Sequence, residues 1–144
     1  MLRIIGVMLS LVAGPVSASL MIDAYCTSKT CEDIRSESQR LKGLSVGVHE
    51  LDATLTVSQK WTAAMKKVSP KTEEDGAKYL SEFMNSQEGR SDMQKMSDSA
   101  KAIERVVLSG IEKIPAYVCH QKYVVYGGTL HQAAKSCAEI GNQK

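Results

Sequence analysis

The chain has 144 residues, 43% hydrophobic but only 5% aromatic, so one domain can bury a core, and that core must be mostly aliphatic and methionine. Eighteen basic residues face 16 acidic ones for a formal net charge of +2, and no block of Lys or Arg stands out. That balance excludes the basic footprint of a direct nucleic-acid binder.

Met1-Leu2-Arg3 is a short positive start, Ile4 to Val12 is almost wholly apolar, and Gly14-Pro15 interrupts any helix. Val16-Ser17-Ala18 then supplies small residues at cleavage positions. Residues 1–18 read as a secretory signal peptide cut after Ala18, leaving a mature domain over 19–144. The apolar run is shorter than the ~20 residues a helical span needs, which argues against an uncleaved anchor. No later segment could cross a bilayer. The mature protein is expected to be soluble and exported, in the periplasm of a Gram-negative cell.

Leu20 to Tyr25 reads as a strand ending at Cys26. Thr27 to Thr30 turn, and a helix is expected from about Cys31, with Thr30 as N-cap and Glu32 and Asp33 in its first turn. Cys31, Ile34, Ser38 and Leu41 share one face, and Gly43 stops the element. Leu44 to Leu51 alternates apolar and polar, as a half-buried second strand does.

A helical block follows. From Asp52, residues Val57, Trp61, Ala64, Met65 and Val68 make an apolar stripe in which the Trp reads as core. Ser69-Pro70 ends it, with Pro70 in position to open the next helix. Ala77, Leu80, Phe83 and Met84 give a narrower face, and the polar stretch 85–90, with Gly89, reads as a break. Met93, Met96, Ala100, Ile103 and Val107 then repeat at threes and fours until Gly110.

Pro115 stands at the entrance to a β-hairpin signal in which Ala116–Cys119 and Tyr123–Tyr126 flank His120-Gln121-Lys122, a turn without glycine. After Gly127-Gly128, Thr129 and Gln132 form a capping-box pattern. Leu130, Ala133, Ala134, Cys137 and Ile140 can then face a sheet, and Gly141 ends the last helix. No repeat or linker divides the chain.

The resulting order is β-α-β, a helical block, then β-β-α. The first connection implies a parallel pair and the hairpin an antiparallel one. The expected architecture is α/β and thioredoxin-like: a mixed four-stranded sheet with flanking helices and a helical insertion before the C-terminal hairpin. Resemblance to thioredoxin-like domains also implies a cis Ile114–Pro115 bond facing the cysteines of the first strand–helix corner.

The exported chain carries four cysteines, Cys26, Cys31, Cys119 and Cys137. An even count in an oxidising compartment suggests disulfides, and four cysteines permit three pairings among which sequence does not choose. Cys26–Cys31 and Cys119–Cys137 are the expected pairs, the first because it is close in sequence. The second would join a strand end to a helix that should pack on the sheet. Cys26 and Cys31 lie where thioredoxin-like enzymes carry Cys-x-x-Cys, and with Pro115 they are the candidate catalytic residues. Thiol exchange there needs one thiol at the helix N-terminus and a second one turn on. The Cys-x4-Cys spacing is looser, which favours a structural bridge at that corner. Cys119, His120, His131 and Cys137 offer zinc-ligand types without zinc-site spacing, so neither metal nor cofactor is expected. His49 reads as a surface or capping residue. No Ser/His/Asp constellation, phosphate loop or paired-carboxylate site stands out.

The sequence also resembles the thioredoxin-like proteins encoded in integrating conjugative elements. The matching residues are Leu51-Asp52-Ala53, Ser69-Pro70, Gly110-Ile111 leading into Ile114-Pro115-Ala116, and Tyr123-Val124-Val125-Tyr126-Gly127 with the closing helix. Cys119-His120-Gln121 and Gly128-Thr129-Leu130 depart from that pattern. The resemblance implies a periplasmic accessory protein of a conjugative, type IV secretion-like DNA-transfer system. Its expected partners are protein components of the transfer apparatus. The alternative is a periplasmic thiol–disulfide oxidoreductase or isomerase using Cys26 and Cys31.

Overall fold

A computed structural model describes residues 20–141. The expected signal peptide and its cleavage point lie outside the described residues. The elements are β1 (Leu20–Cys26), α1 (Ser28–Ser38), β2 (Leu44–Glu50), α2 (Ala53–Val68), α3 (Glu73–Asn85), α4 (Gln87–Leu108), β3 (Ala116–Cys119), β4 (Tyr123–Tyr126) and α5 (Leu130–Gly141). The sheet order is β2-β1-β3-β4, with β1 parallel to β2 and the other neighbours antiparallel. This is the mixed four-stranded thioredoxin-like sheet expected from the element order, with α2–α4 as the insertion. The Ile114–Pro115 peptide is cis.

Alternation along the strands divides the sheet into two faces. Ile22, Ala24 and Cys26 of β1 point with Tyr117 and Cys119 of β3 into the larger core, which α1 closes with Cys31 and Ile34 and α5 with Leu130, Ala133 and Cys137. Tyr25 and Ala116 point the other way, where Ala102 of α4 and Ile111 complete a smaller core. Glu37 of α1 ties this architecture to α5. Its carboxylate accepts the backbone N–H groups of Leu130 (2.8 Å) and His131 (3.3 Å), whose orphan donors at a helix start need acceptors. Thr129 and Gln132 form the expected reciprocal cap of the same helix, at 3.0 and 3.2 Å.

Three local expectations give way. Helix α3 opens at Glu73 rather than at Pro70, because Thr72 is its N-cap and accepts the Asp75 N–H at 3.1 Å. Between α3 and α4 the break is one residue, Ser86, whose hydroxyl accepts the Gly89 N–H at 3.0 Å. The third correction concerns α4, which does not bury its methionine-rich stripe. It buries Gly89, Asp92, Ser99 and Ala102, and leaves Met93 (45%), Ile103 (43%) and Val107 (71%) exposed. Close approach selects the small residues. A Cβ at Gly89 would collide with the Phe83 carbonyl and the Met84 backbone, so only glycine lets α4 start this close to α3.

Candidate functional site

The corner between β1 and α1 joins two of the candidate residues covalently and brings the third beside them. Cys26 closes β1, Thr27 is the N-cap of α1, and Cys31 is the fourth helical residue, its N–H donating to the Thr27 carbonyl at 2.8 Å. The helix thus starts three residues before the position expected from sequence. Thr30, read there as the N-cap, lies inside the helix and accepts the Thr27 N–H at 3.1 Å. Cys26 and Cys31 form a disulfide with Cα atoms 5.3 Å apart. Ala116 pairs with Tyr25 in the β1–β3 ladder, so one step further the register sets Pro115 opposite Cys26.

The surroundings of this disulfide decide what it can do. Exchange requires a thiolate to reach one of the sulfurs, but both cysteines are completely buried. Activation of a leaving thiolate also uses the positive end of a helix. Here Asp52, the N-cap of α2, already occupies that end. Its carboxylate accepts the Ser28 N–H at 2.6 Å and the Ser28 hydroxyl at 3.0 Å. A second negative charge would be opposed rather than stabilised. Leu51 N–H donates to the Cys26 carbonyl at 2.9 Å, so the start of α2 is also tied to this corner by its backbone. The arrangement is a covalent and hydrogen-bonded joint between β1, α1 and α2.

Cys119 and Cys137 form the second disulfide, with Cα atoms 5.6 Å apart. Cys119 pairs with Ile22 in the ladder, so this bridge lies on the same sheet face as Cys26 but nearer the start of β1, where it binds the hairpin to α5. Both thiols are consumed and cannot serve as zinc ligands. Among the described residues no group of three or more His, Cys, Asp or Glu side chains is placed to hold a metal ion.

Two polar clusters are not marked by the sequence pattern, and one of them takes up His49, which pairs with Asp23 instead of standing as a surface or capping residue. Asp92 of α4 is buried, and its Oδ2 accepts from Lys60 Nζ at 2.8 Å and from Trp61 Nε1 at 3.0 Å. The Lys60 hydrogen bond holds the Asp92 carboxyl below the usual range, against the opposing effect of burial and with help from Trp61. The Asp92 and Glu88 hydrogen bonds in turn raise Lys60. Trp61 is half-buried and meets Phe83 edge to face at 5.6 Å. The cleft beside Asp92 contains Arg35, Lys60 and Lys95, and each is already paired with Glu50, Glu88 or Asp92. It is neutralised from within.

The second polar group lies on the sheet face beneath α4. His49 Nε2 is 2.9 Å from Asp23 Oδ1, and the His49 ring stacks on Tyr25 at 4.9 Å. Burial, with Asp23 nearby, pushes the Tyr25 phenol up. Gly47 makes room for the pair, since a Cβ there would stand 2.6 Å from Asp23 Oδ1. The Asp-x-Tyr of β1 and Gly-x-His of β2 were visible as letters, but only the parallel register sets Asp23 opposite Gly47.

The sheet order and the cysteine-bearing corner define a thioredoxin-like α/β scaffold whose corner is closed by a buried disulfide. Residues 37–141 match the family described as protein of unknown function, DUF1525, and the chain belongs to that family. No curated protein and no solved structure gives a match.

Proposed function

We propose that this protein is an exported accessory component of a conjugative, type IV secretion-like DNA-transfer system. It acts through protein contacts rather than through thiol chemistry. The observation that carries the reading is the closed β1–α1 corner: Cys26 and Cys31 are bonded and fully buried, with Asp52 on the first N–H of the helix. A thioredoxin-like scaffold arranged in this way offers surfaces, not a reactive sulfur. Two disulfides fit an oxidising, extracytoplasmic compartment, and the signal-peptide pattern of residues 1–18 supports reading that compartment as the periplasm. Among the described residues no helix is long and apolar enough to cross a membrane. The link to conjugation rests on the resemblance carried by Ile114-Pro115-Ala116, the Tyr123–Gly127 strand and the closing helix.

The test is a mating assay. Deleting the gene from a donor that carries its transfer genes should lower transfer frequency. Both the wild type and the Cys26→Ala/Cys31→Ala variant should restore it wherever the variant accumulates to wild-type level. Unchanged transfer in the deletion strain would refute the role in conjugation. Rescue by the wild type alone, with the variant folded, would establish the oxidoreductase reading instead. One observation favours that second reading: the pair occupies the strand–helix corner with Pro115 opposite.

A further inference from the structure

The stripe that α4 leaves outside has the spacing of a coiled-coil seam. Met93, Met96, Ala100, Ile103 and Val107 follow one another at intervals of three, four, three and four, the a/d pattern over two heptads. Four of the five side chains are exposed and Met96 is half-buried. The helix reaches its own domain through the neighbouring stripe of Asp92, Ser99 and Ala102, and the fold covers the seam only partly, at Met96.

The sequence of α4 states what covers it. In an antiparallel pairing of two α4 helices, each a residue faces a d residue of the other helix. Centring the pair between Ser97 and Ser99 sets Met93 against the second copy's Ile103 and Met96 against its Ala100, and the reverse. Each central layer then combines one long side chain with one small one, which lets the helices approach closely. The flanking e positions of the same register are Arg90, Ser97 and Glu104. They pair Arg90 of one copy with Glu104 of the other, twice by symmetry, and bring the two Ser97 residues together at the axis. Arg90 and Glu104 are exposed, and neither takes part in an ion pair among the described residues. Size matches in the four layers from Met93 to Ile103 and charge matches on their flank in this one register, as an isologous twofold contact requires, and Val107 lies beyond the paired layers.

We infer that the protein self-associates as an antiparallel dimer through the Met93–Ile103 seam of α4, with reciprocal Arg90–Glu104 pairs setting the register. The inference is independent of the role in conjugation.

Sedimentation equilibrium of the purified oxidised protein over a range of concentrations tests it. The wild type should show a reversible monomer–dimer equilibrium. Ala100→Glu places a charge in the central layers and should leave only monomer. Arg90→Glu turns two opposite-charge pairs into like-charge pairs and should raise the dimer Kd about tenfold, more at low salt. Adding Glu104→Arg to Arg90→Glu should restore the wild-type Kd, because the exchanged charges again face one another. All three positions are exposed, so far-UV circular dichroism and the thermal transition of the monomer should not change. A monomer at every concentration overturns the inference. So does association that survives Ala100→Glu, or an Arg90→Glu defect that Glu104→Arg does not repair.

Discussion

The two faces of the sheet meet their helices by different means. Under α1 and α5, Ile22, Ala24, Tyr117 and Leu130 pack with all four half-cystines, and the two disulfides fasten both helices to strands. Under α4 the sheet offers the Asp23–His49 pair beside Tyr25, and the inward stripe of the helix includes Asp92 and Ser99. The first face is held by apolar burial and covalent links. The second is held by a smaller apolar core of Tyr25, Ala102, Ile111 and Ala116, with the Asp23–His49 pair joining β1 to β2 and Asp92 joining α4 to α2, while α4 keeps methionine and aliphatic side chains outside. A thioredoxin-like frame that is stapled on one side can carry an insertion whose outer surface is not needed to hold the sheet together.

Breaking the staples should have the largest effect on that contrast. The Cys119–Cys137 bridge spans 18 residues of sequence and Cys26–Cys31 spans 5. In the chain-entropy picture the longer loop contributes about 3 kcal/mol and the shorter about 2 kcal/mol. Denaturant unfolding of Cys119→Ala/Cys137→Ala should therefore show the greater loss, with Cys26→Ala/Cys31→Ala second. Equal and negligible losses would remove the distinction between the two faces.

The insertion layer has its own weak point at Asp92. Asp92→Ala leaves the Trp61 N–H and the Lys60 ammonium without their acceptor, and should cost about 1–3 kcal/mol. The pH dependence follows from the depressed carboxyl. A group that titrates lower in the folded state stabilises above its unfolded pKa, and that contribution is lost as pH falls through the folded value. Lys60, whose pKa is raised, contributes below its unfolded value and loses that contribution only as pH climbs past the usual lysine range. The acid limb of the stability profile should thus flatten in Asp92→Asn while the Cys→Ala variants retain it. An unchanged acid limb would show that the Asp92 pair does not secure α2 to α4.

How far these features were legible depends on the range of the interactions behind them. The hairpin strands Ala116–Cys119 and Tyr123–Tyr126 were marked by Pro115, by two short β-prone runs around His120-Gln121-Lys122 and by Gly127-Gly128, all local signals. The Thr129/Gln132 cap was equally local. The start of α1 was not, since Asp52, 24 residues downstream, helps set it through Ser28. Nor was the Glu37 cap of α5, formed across 93 residues of sequence. Helix α4 misled because periodicity finds the most apolar stripe, whereas close packing against α3 and the sheet selected Gly89, Ser99 and Ala102. At the corner, the cysteine spacing was readable but the burial of the sulfurs and the carboxylate at the helix start were not.

Smaller changes sharpen the picture. His120 and Gln121 both have positive φ, 50° and 57°, in the hairpin turn, as a type I′ turn demands. His120→Asn with Gln121→Gly should raise stability by about 0.5–1 kcal/mol, because those residues adopt that backbone more readily. The smallest effect is expected at Ser99, whose buried hydroxyl has no protein partner among the described residues. Ser99→Ala should be neutral or slightly stabilising in chemical denaturation. A clear loss would mean that the hydroxyl has a partner.

The central claim is that the β1–α1 corner is a closed joint, and thiol trapping of the native protein tests it most directly. The oxidised protein is equilibrated in glutathione buffers of graded potential, quenched with acid, alkylated after unfolding and weighed by mass spectrometry. A structural bridge of this kind should remain closed down to potentials below about −300 mV, with no label on Cys26 or Cys31. Labelling of either residue at the milder potentials of an oxidising compartment, in protein that remains folded, would contradict the account and make the corner a redox site.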